Sequence, residues 1–168
     1  MSDIVLVGLP GSGKTTTGRA LARTLDVSFV DVDDLFFSRE GVSVQDYLRA
    51  HGESDFRELE LAALAEGLVG RGVVATGGGA VTTPAARTLL TTQLTVWLDC
   101  PVEKLAKRVV GGDRPLLGDD PPGRLAALRT ERERFYAEAS QHRVDSGRPL
   151  PEVLNQLLVI LETSRALK

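Results

Sequence analysis

Eight residues near the start of the chain have the types and spacing of a phosphate-binding loop. The segment GLPGSGKT, residues 8–15, fits the pattern G-x-x-x-x-G-K-[ST], with an apolar run before it and a helical pattern after it. Glycines let backbone N–H groups surround a phosphate, and the N-terminus of the next helix adds positive charge. Lys14 would then reach the β- and γ-phosphates, and the Thr15 hydroxyl would help to hold Mg²⁺. The sequence therefore predicts a nucleotide site.

Two acidic side chains follow the next apolar segment. Asp31 and Asp33 lie in FVDVDD, residues 29–34, and the spacing i, i+2 places both on one face of an extended segment. One carboxylate could serve the water shell of a metal ion and the other a substrate hydroxyl. They could equally cap the following helix, a role that Asp34 could also fill. The spacing alone leaves both interpretations open.

A third feature is a run of glycines after an apolar segment. In VVATGGGAV, residues 73–81, the first three residues predict a buried strand that ends close to Gly77, Gly78 and Gly79. Glycine loses more backbone entropy on folding than any other residue, and a turn needs only one or two. Three in succession therefore call for an explanation other than the turn.

Strands and helices must alternate to position these segments. Apolar runs predict strands at 3–8, 28–32, 73–75, 94–98 and 143–146. Helical spacing predicts helices at 14–25, in a long stretch broken at Gly41 and at His51-Gly52, at 84–90 after a Thr83 N-cap, from Pro101, at 124–140 and at 151–165. This alternation predicts an α/β fold, a five-stranded parallel sheet flanked by helices. The loops that follow Gly8, Val32, Thr76 and Asp99 should then meet at the carboxyl ends of the strands.

Composition limits the class of protein. Apolar residues make up 42% of the chain and charged residues 26%, as in a soluble globular domain. A net charge of −3 argues against general nucleic-acid binding, and one cysteine, Cys100, permits no disulfide within the chain. No segment approaches the ~20 apolar residues of a membrane span. We expect a single domain over residues 1–168, acting as a cytoplasmic monomer that binds neither nucleic acid nor membrane.

Six segments together resemble one family. The phosphate-binding loop does not itself separate kinases from GTPases or ATPases, but the N-K-x-D sequence of GTPases is absent, and the third strand ends without the acidic residue of ordinary ATPases. The segments GLPGSGKT, DVD, GESDFRELE, GGGAV, RPLL and RERFY occur in the order and approximate spacing of shikimate kinases. The resemblance runs from residue 4 to about residue 148.

The resemblance implies a reaction and an acceptor site. Shikimate kinases move the γ-phosphate of ATP, with Mg²⁺, to the 3-hydroxyl of shikimate, a small ring with one carboxylate and three hydroxyls. By position, Asp33 resembles the residue that accepts a hydrogen bond from the attacking hydroxyl, and Arg57 and Arg132 resemble the pair that holds the carboxylate. Gly77–Gly79 resemble the substrate-side glycine loop, and we expect them to keep side chains off the pocket floor. Glu60, three positions after Arg57 on a helix, could hold that guanidinium.

The resemblance also implies a nucleotide site. Arg114 resembles the arginine of a mobile lid, here 111–123, and Asp31 resembles the acid near Mg²⁺, which would lie beside Thr15. The expected ATP-binding residues are Gly11, Ser12, Gly13, Lys14, Thr15, Thr16, Arg108, Arg114 and Arg148. Catalysis would combine Lys14 and Arg114 at the phosphates with Asp33 at the nucleophile, and residues 33–61 would form the substrate-binding helical segment.

One segment departs from the family, and other functions stay open. RERFY carries Arg134 where the family has proline; Arg132 keeps its spacing to Tyr136, but Arg134 competes for the role, and the loss of proline permits a longer helix. The alternatives are another small-molecule kinase with this loop, acting on gluconate or a nucleoside monophosphate, and a protein that binds ATP without turnover.

Overall fold

A computed structural model describes residues 3–109 and 120–166 of the chain. Five parallel strands form one sheet in the order β2-β3-β1-β4-β5. The strands are β1 (Ile4–Val7), β2 (Phe29–Asp31), β3 (Val73–Ala75), β4 (Thr95–Asp99) and β5 (His142–Asp145). The helices are α1 (Lys14–Leu25), α2 (Val32–Glu40), α3 (Val44–His51), α4 (Glu53–Gly67), α5 (Pro84–Thr91), α6 (Val102–Val109), α7 (Pro121–Ala139) and α8 (Leu150–Ala166). The predicted α/β fold, a five-stranded parallel sheet flanked by helices, is confirmed.

The central strand β1 separates two hydrophobic cores. Ile4 and Leu6 pack in one core with residues of α1 and α8, whereas Val5 and Val7 pack in the other with residues of α4, α5 and α7. Successive strand side chains point to opposite faces, so a continuously apolar strand serves both layers. All four residues are fully buried, which fixes the position of the loop that follows β1.

Helix breaks between β2 and β3 fall where the sequence predicts them. Gly41 ends α2 with φ 72°, and Gly52 separates α3 from α4 with φ 84°. Both values lie in a region that glycine adopts without a steric penalty. The three helices therefore fold back on one another beside the sheet edge instead of forming one rod.

Two predicted boundaries are wrong, and both errors concern helix starts. The second strand ends at Asp31, and α2 begins at Val32, so Asp33 lies in the first turn of a helix rather than on an extended segment. The loop predicted over 111–123 ends before Pro121, because the Asp120 side chain accepts a hydrogen bond from Gly123 N and caps α7. Thr83 precedes α5 as expected, but its side chain makes no capping hydrogen bond.

The carboxyl ends of the strands meet on one side of the sheet. The Arg108 guanidinium donates to Gly11 O in the loop after β1 (3.3 Å) and to Ser146 O after β5 (2.9 Å). Ser146 N in turn donates to Asp99 O at the end of β4, at 2.9 Å. In the part of the chain that the structure describes, no helix is long and apolar enough to cross a bilayer.

Candidate active site

The phosphate-binding loop has the geometry that its glycines predict. Gly11 and Gly13 adopt φ values of 81° and 93°, which side chains disfavour, and Gly13 leads directly into α1. The buried Lys14 ammonium donates to Gly8 O at 2.8 Å and to Leu9 O at 3.0 Å. A cation and the N-terminus of α1 therefore share one short loop, and both favour an anion there.

A threonine–aspartate pair lies beside this loop. The Thr15 hydroxyl donates to Asp31 Oδ2 at 2.6 Å, and Asp31 Oδ1 accepts from Asp33 N at 3.0 Å. Asp31 thus caps α2 and also faces Thr15; the cap is observed, and the role towards a metal ion stays a prediction. The described side-chain contact of Asp34 is an exposed ion pair with Arg19, at 3.4 Å. Hydroxyl and carboxylate oxygens fit Mg²⁺, which is usually held by one or two protein carboxylates together with substrate phosphates.

Asp33 opens into the same cleft from the first turn of α2. Burial by the surrounding protein, together with the neighbouring charges of Asp31 and Glu60 and against the opposing effect of Lys14, raises the pKa of its carboxyl to about 6. A carboxylate of higher pKa is a stronger hydrogen-bond acceptor and base than an ordinary surface aspartate.

Arg57 is held by two glutamates on its own helix. Its Nη1 donates to Glu60 Oε2 at 2.5 Å, and its Nη2 and Nε donate to Glu53 Oε1 at 3.0 and 3.3 Å. Burial raises the pKa of Glu60 above its ordinary value, although Arg57 acts in the opposite direction. The expected contact between Glu60 and Arg57 is present, and it is a buried ion pair rather than an exposed one.

Each of the three glycines leaves room for a different neighbour. A Cβ built at Gly77 would lie 2.7 Å from Glu60 Oε1 and 2.9 Å from Asp33 Oδ1. At Gly78 it would lie 2.8 Å from Pro10 Cδ, and at Gly79 it would overlap the Arg57 guanidinium. None of the three has a positive φ, so glycine is required here because there is no space for a side chain, and not because of the turn.

Helix α7 presents Arg132 to this loop. Arg132 Nη1 and the Tyr136 hydroxyl both donate to Gly78 O, at 3.1 and 2.5 Å. Arg134, the competitor for this role, is exposed and lies over the Phe135 ring at 4.5 Å. Residues two apart on a helix point about 200° apart, so only one of the two arginines can face the glycines.

One cavity of about 930 Å³ joins all of these groups. Each predicted site residue that the structure describes lines it: Gly11, Ser12, Gly13, Lys14, Thr15, Thr16, Asp31, Asp33, Arg57, Gly77, Gly78, Gly79, Arg108, Arg132 and Arg148. Arg148 is also paired with Asp145 at 3.6 Å and Glu152 at 3.4 Å. Arg114 and most of the predicted lid, 111–119, lie outside the described residues.

Sequence reasoning missed several groups around this cavity. Pro10, Glu53 and Arg124 line it, and Tyr136 anchors Gly78. Glu53 could have been found, because it stands four positions before Arg57 on the same helix. Arg124 carried no such signal, since α7 is rich in charges on several faces.

Comparison with known proteins identifies the family. The model of the family described as shikimate kinase matches residues 10–162. The chain belongs to the shikimate kinase family. Shikimate kinases of Symbiobacterium thermophilum and Corynebacterium jeikeium are 43% and 39% identical to it, over 95% and 96% of this chain and 96% and 89% of those proteins.

Solved structures agree with this assignment. A shikimate kinase from Acinetobacter baumannii, solved in complex with shikimate, superposes with a TM-score of 0.89 at 34% identity, covering 98% of this chain and 94% of that one. A gluconokinase from Sinorhizobium meliloti gives a TM-score of 0.64 at 23% identity, covering 95% and 91%. The second likeness shows a shared fold alone, and the gluconate alternative is not favoured.

Proposed function

We propose that this member of the shikimate kinase family transfers the γ-phosphate of ATP to the 3-hydroxyl of shikimate, giving ADP and shikimate 3-phosphate. The observation that carries the proposal is the single cavity, with a phosphate-binding loop at one end and two arginines beside a glycine loop at the other. Asp33 lines the same cavity, where an acceptor hydroxyl would meet the phosphate.

The nucleotide end supplies positive charge to the phosphates. Backbone N–H groups of Gly11–Gly13 and the Lys14 ammonium bind the phosphate chain, with the Ser12 and Thr16 residues completing the loop. Thr15, and Asp31 through a bound water, would hold Mg²⁺, which would supply positive charge to the phosphate oxygens. Arg108 and Arg148 lie beside the loop after β5, where they border the base.

The acceptor end supplies orientation. The Arg57 and Arg132 guanidinium groups bind the shikimate carboxylate, and each such bond contributes about 1.5–3 kcal/mol once water is excluded. Gly77–Gly79 bring backbone groups close to the ring, because no side chain stands between. Two cations at this end also offset the repulsion between an anionic acceptor and ATP.

Asp33 acts on the nucleophile. Its carboxylate accepts the hydrogen bond, and then the proton, of the attacking hydroxyl. Arg114, carried on a lid between α6 and α7, would stabilise charge on the transferring phosphoryl group, an effect worth roughly 10³–10⁵ in rate in related systems. Closure of this lid would exclude water, which is the competing acceptor.

We propose that the enzyme acts as a monomer. We propose that it works in the cytoplasm, where a chain with a single cysteine, Cys100, needs no disulfide. Residues 33–61 would form the substrate-binding segment of a single domain.

The deciding experiment measures ADP release from Mg·ATP with shikimate, gluconate and a nucleoside monophosphate as separate acceptors. We expect ADP only with shikimate, and mass spectrometry should identify shikimate 3-phosphate. ADP formed with another acceptor would assign a different kinase, and tight ATP binding without any acceptor-dependent ADP would leave an ATP-binding protein.

A further inference from the structure

The Arg57 guanidinium is held from three directions. Glu60 accepts from Nη1, Glu53 accepts from Nη2 and Nε, and the Phe56 ring centroid lies 5.1 Å from Cζ. Only 16% of the Arg57 side chain is exposed, so these contacts replace much of its hydration. With these contacts, the positive charge of Arg57 is already neutralised before an anionic acceptor binds.

The two glutamates differ in how much they depend on Arg57. The Glu60 side chain is 5% exposed, and without its partner it would be an uncompensated buried charge. The Glu53 side chain is 68% exposed and stays hydrated without Arg57. Glu53 is also the first residue of α4, where the positive end of the helix dipole stabilises a carboxylate. Glu53 can therefore leave Arg57 at little cost, whereas Glu60 cannot.

We propose that Glu53 is a displaceable stand-in for the acceptor's carboxylate, and that it sets the affinity of the site for the anionic acceptor. It neutralises Arg57 while no acceptor is bound, and its charge opposes the entry of a second carboxylate. This inference rests on the proposed binding of the shikimate carboxylate by Arg57.

The direction of the effect follows from the contacts. If Glu53 remains on Arg57 when the acceptor binds, two carboxylates lie side by side and repel each other. If Glu53 leaves, its two hydrogen bonds to Arg57 are lost. Its help in orienting the guanidinium is redundant, because Glu60 and Phe56 already hold Arg57. In both cases the Glu53 charge weakens acceptor binding.

The test compares Glu53→Gln with a matched control. The substitution keeps the size of the side chain and removes its charge. The control is Asp55→Asn, which removes the same charge from the same helical turn. Asp55 is also exposed, and the structure describes no contact between it and Arg57. We measure the Kd of shikimate by calorimetry without nucleotide, and the KM values and kcat in the ADP assay.

We expect Glu53→Gln to lower the Kd and KM of shikimate about two- to five-fold, the range set by exposed ion pairs, and to leave the KM of ATP in place. A Kd that is unchanged or raised would overturn the proposal, and so would an equal fall in Asp55→Asn, which would show only a general charge effect. Shikimate binding to the parent chain without turnover would refute the proposed reaction and still test Glu53. No binding to the parent would refute both.

Discussion

At the scale of single residues, the Asp33 carboxylate has other carboxylates beside it. The same surroundings raise its pKa and make its charged form costly for the stability of the fold. Burial is the main cause of its raised pKa, and Asp31 and Glu60 add to it. The opposing Lys14 ammonium does not restore the ordinary value of 3.8. The Asp33 carboxylate, which we propose as the proton acceptor, therefore destabilises the fold when it is ionised.

Replacing Asp33 with asparagine should separate these two effects. We expect Asp33→Asn to lower kcat by about 10²-fold or more, because the acceptor of the hydroxyl proton is lost. The folded-state pKa of about 6 exceeds the ordinary 3.8, so the stability that Asp33 contributes is fully present below 3.8 and is lost as the pH rises through 6. Asp33→Asn should therefore melt at a higher temperature than the parent at pH 8, and the difference should vanish towards pH 4.

Calorimetry at pH 4, 6 and 8 checks this expectation, and Asp34→Asn is the control. Asp34 is exposed, lies in the same helical turn and contributes less to the raised pKa of Asp33 than Asp31 or Glu60 does, so its replacement should leave kcat unchanged and alter the pH dependence of the melting temperature far less than Asp33→Asn does. An Asp33→Asn protein no more stable than the parent at pH 8 would show that the ionised Asp33 carboxylate does not destabilise the fold.

Gly79→Ala should damage the acceptor end alone. The new methyl group would overlap the Arg57 guanidinium, which is tied to Glu60 and cannot move freely. We expect the KM of shikimate to rise about ten-fold, equivalent to roughly 1.4 kcal/mol, with little change in the KM of ATP. Steady-state kinetics measures both constants.

Gly70→Ala is the matched control, since nothing lies within 4 Å of a Cβ at that position and its φ is not positive. It should leave both KM values unchanged. If Gly79→Ala folded normally and behaved like Gly70→Ala, the proposed role of the glycine loop would be wrong.

At the scale of secondary-structure elements, α7 is attached to β4 on both sides of Arg132. Arg129 binds Asp99 through two hydrogen bonds of 2.6 and 3.1 Å, and Tyr136 stacks on Trp97 with ring centroids 5.6 Å apart. Arg143 of β5 also donates to Asp99. Through these contacts α7 is joined directly to β4, and Asp99 links that attachment to β5, which sets the position of Arg132 over the glycine loop.

Asp99→Asn should loosen this attachment. Burial acts to raise the pKa of Asp99, but hydrogen bonds from Arg129 and Arg143 outweigh it and hold that pKa below its ordinary value. The ionised carboxylate therefore stabilises the fold above pH 3.8, and this contribution is lost as the pH falls through the lowered pKa. We expect a loss of about 1.5–3 kcal/mol at pH 7 and a higher KM for shikimate, measured by urea unfolding and kinetics.

Glu133→Gln is the control for this change. Glu133 is exposed and contacts Arg129 only at 3.8 Å, so its replacement should alter the free energy of unfolding by less than about 0.5 kcal/mol. A loss in Asp99→Asn no larger than in Glu133→Gln would mean that the two arginines do not depend on Asp99.

At the scale of the whole molecule, the site is one cavity with two chemically different ends. Loops that follow β1, β3 and β5 meet there with α4 and α7, and we propose that each end binds its own ligand. A ligand that binds only the folded state raises stability, by about 2.7 kcal/mol at one hundred times its Kd.

Lys14→Met should remove the rise in melting temperature caused by the nucleotide and keep the rise caused by shikimate. The parent should melt roughly 5–10 °C higher with saturating Mg·ADP, and a similar shift should follow saturating shikimate. In Lys14→Met we expect the nucleotide shift to be largely lost and the shikimate shift to remain, because Lys14 lies in the phosphate-binding loop. Lys107→Met, an exposed lysine of α6, should keep both shifts. Equal loss of both shifts in Lys14→Met would mean that the ends are not independent.

Local patterns in the sequence were sufficient for the fold and the nucleotide loop. The alternation of apolar runs and helical spacing predicted the five parallel strands, most clearly the inner strands β1, β3 and β4, every residue of which is buried. GLPGSGKT predicted its own conformation, since Gly11 and Gly13 need φ values that few other residues adopt. Six segments in order were enough to indicate the family.

Contacts between distant segments decided what the sequence left open. In α7, Arg132 faces the glycine loop and Arg134 faces away from it. The sequence alone could not show which of these two arginines, two positions apart, faces the loop. Each glycine of the triple is required by a neighbour distant in sequence, Glu60, Pro10 or Arg57. The raised pKa of Asp33 needs Glu60 and the walls of the cleft, and Asp99 joins two arginines 14 positions apart. Local sequence determines backbone conformation, whereas charge and steric exclusion depend on which chain segments the fold brings together.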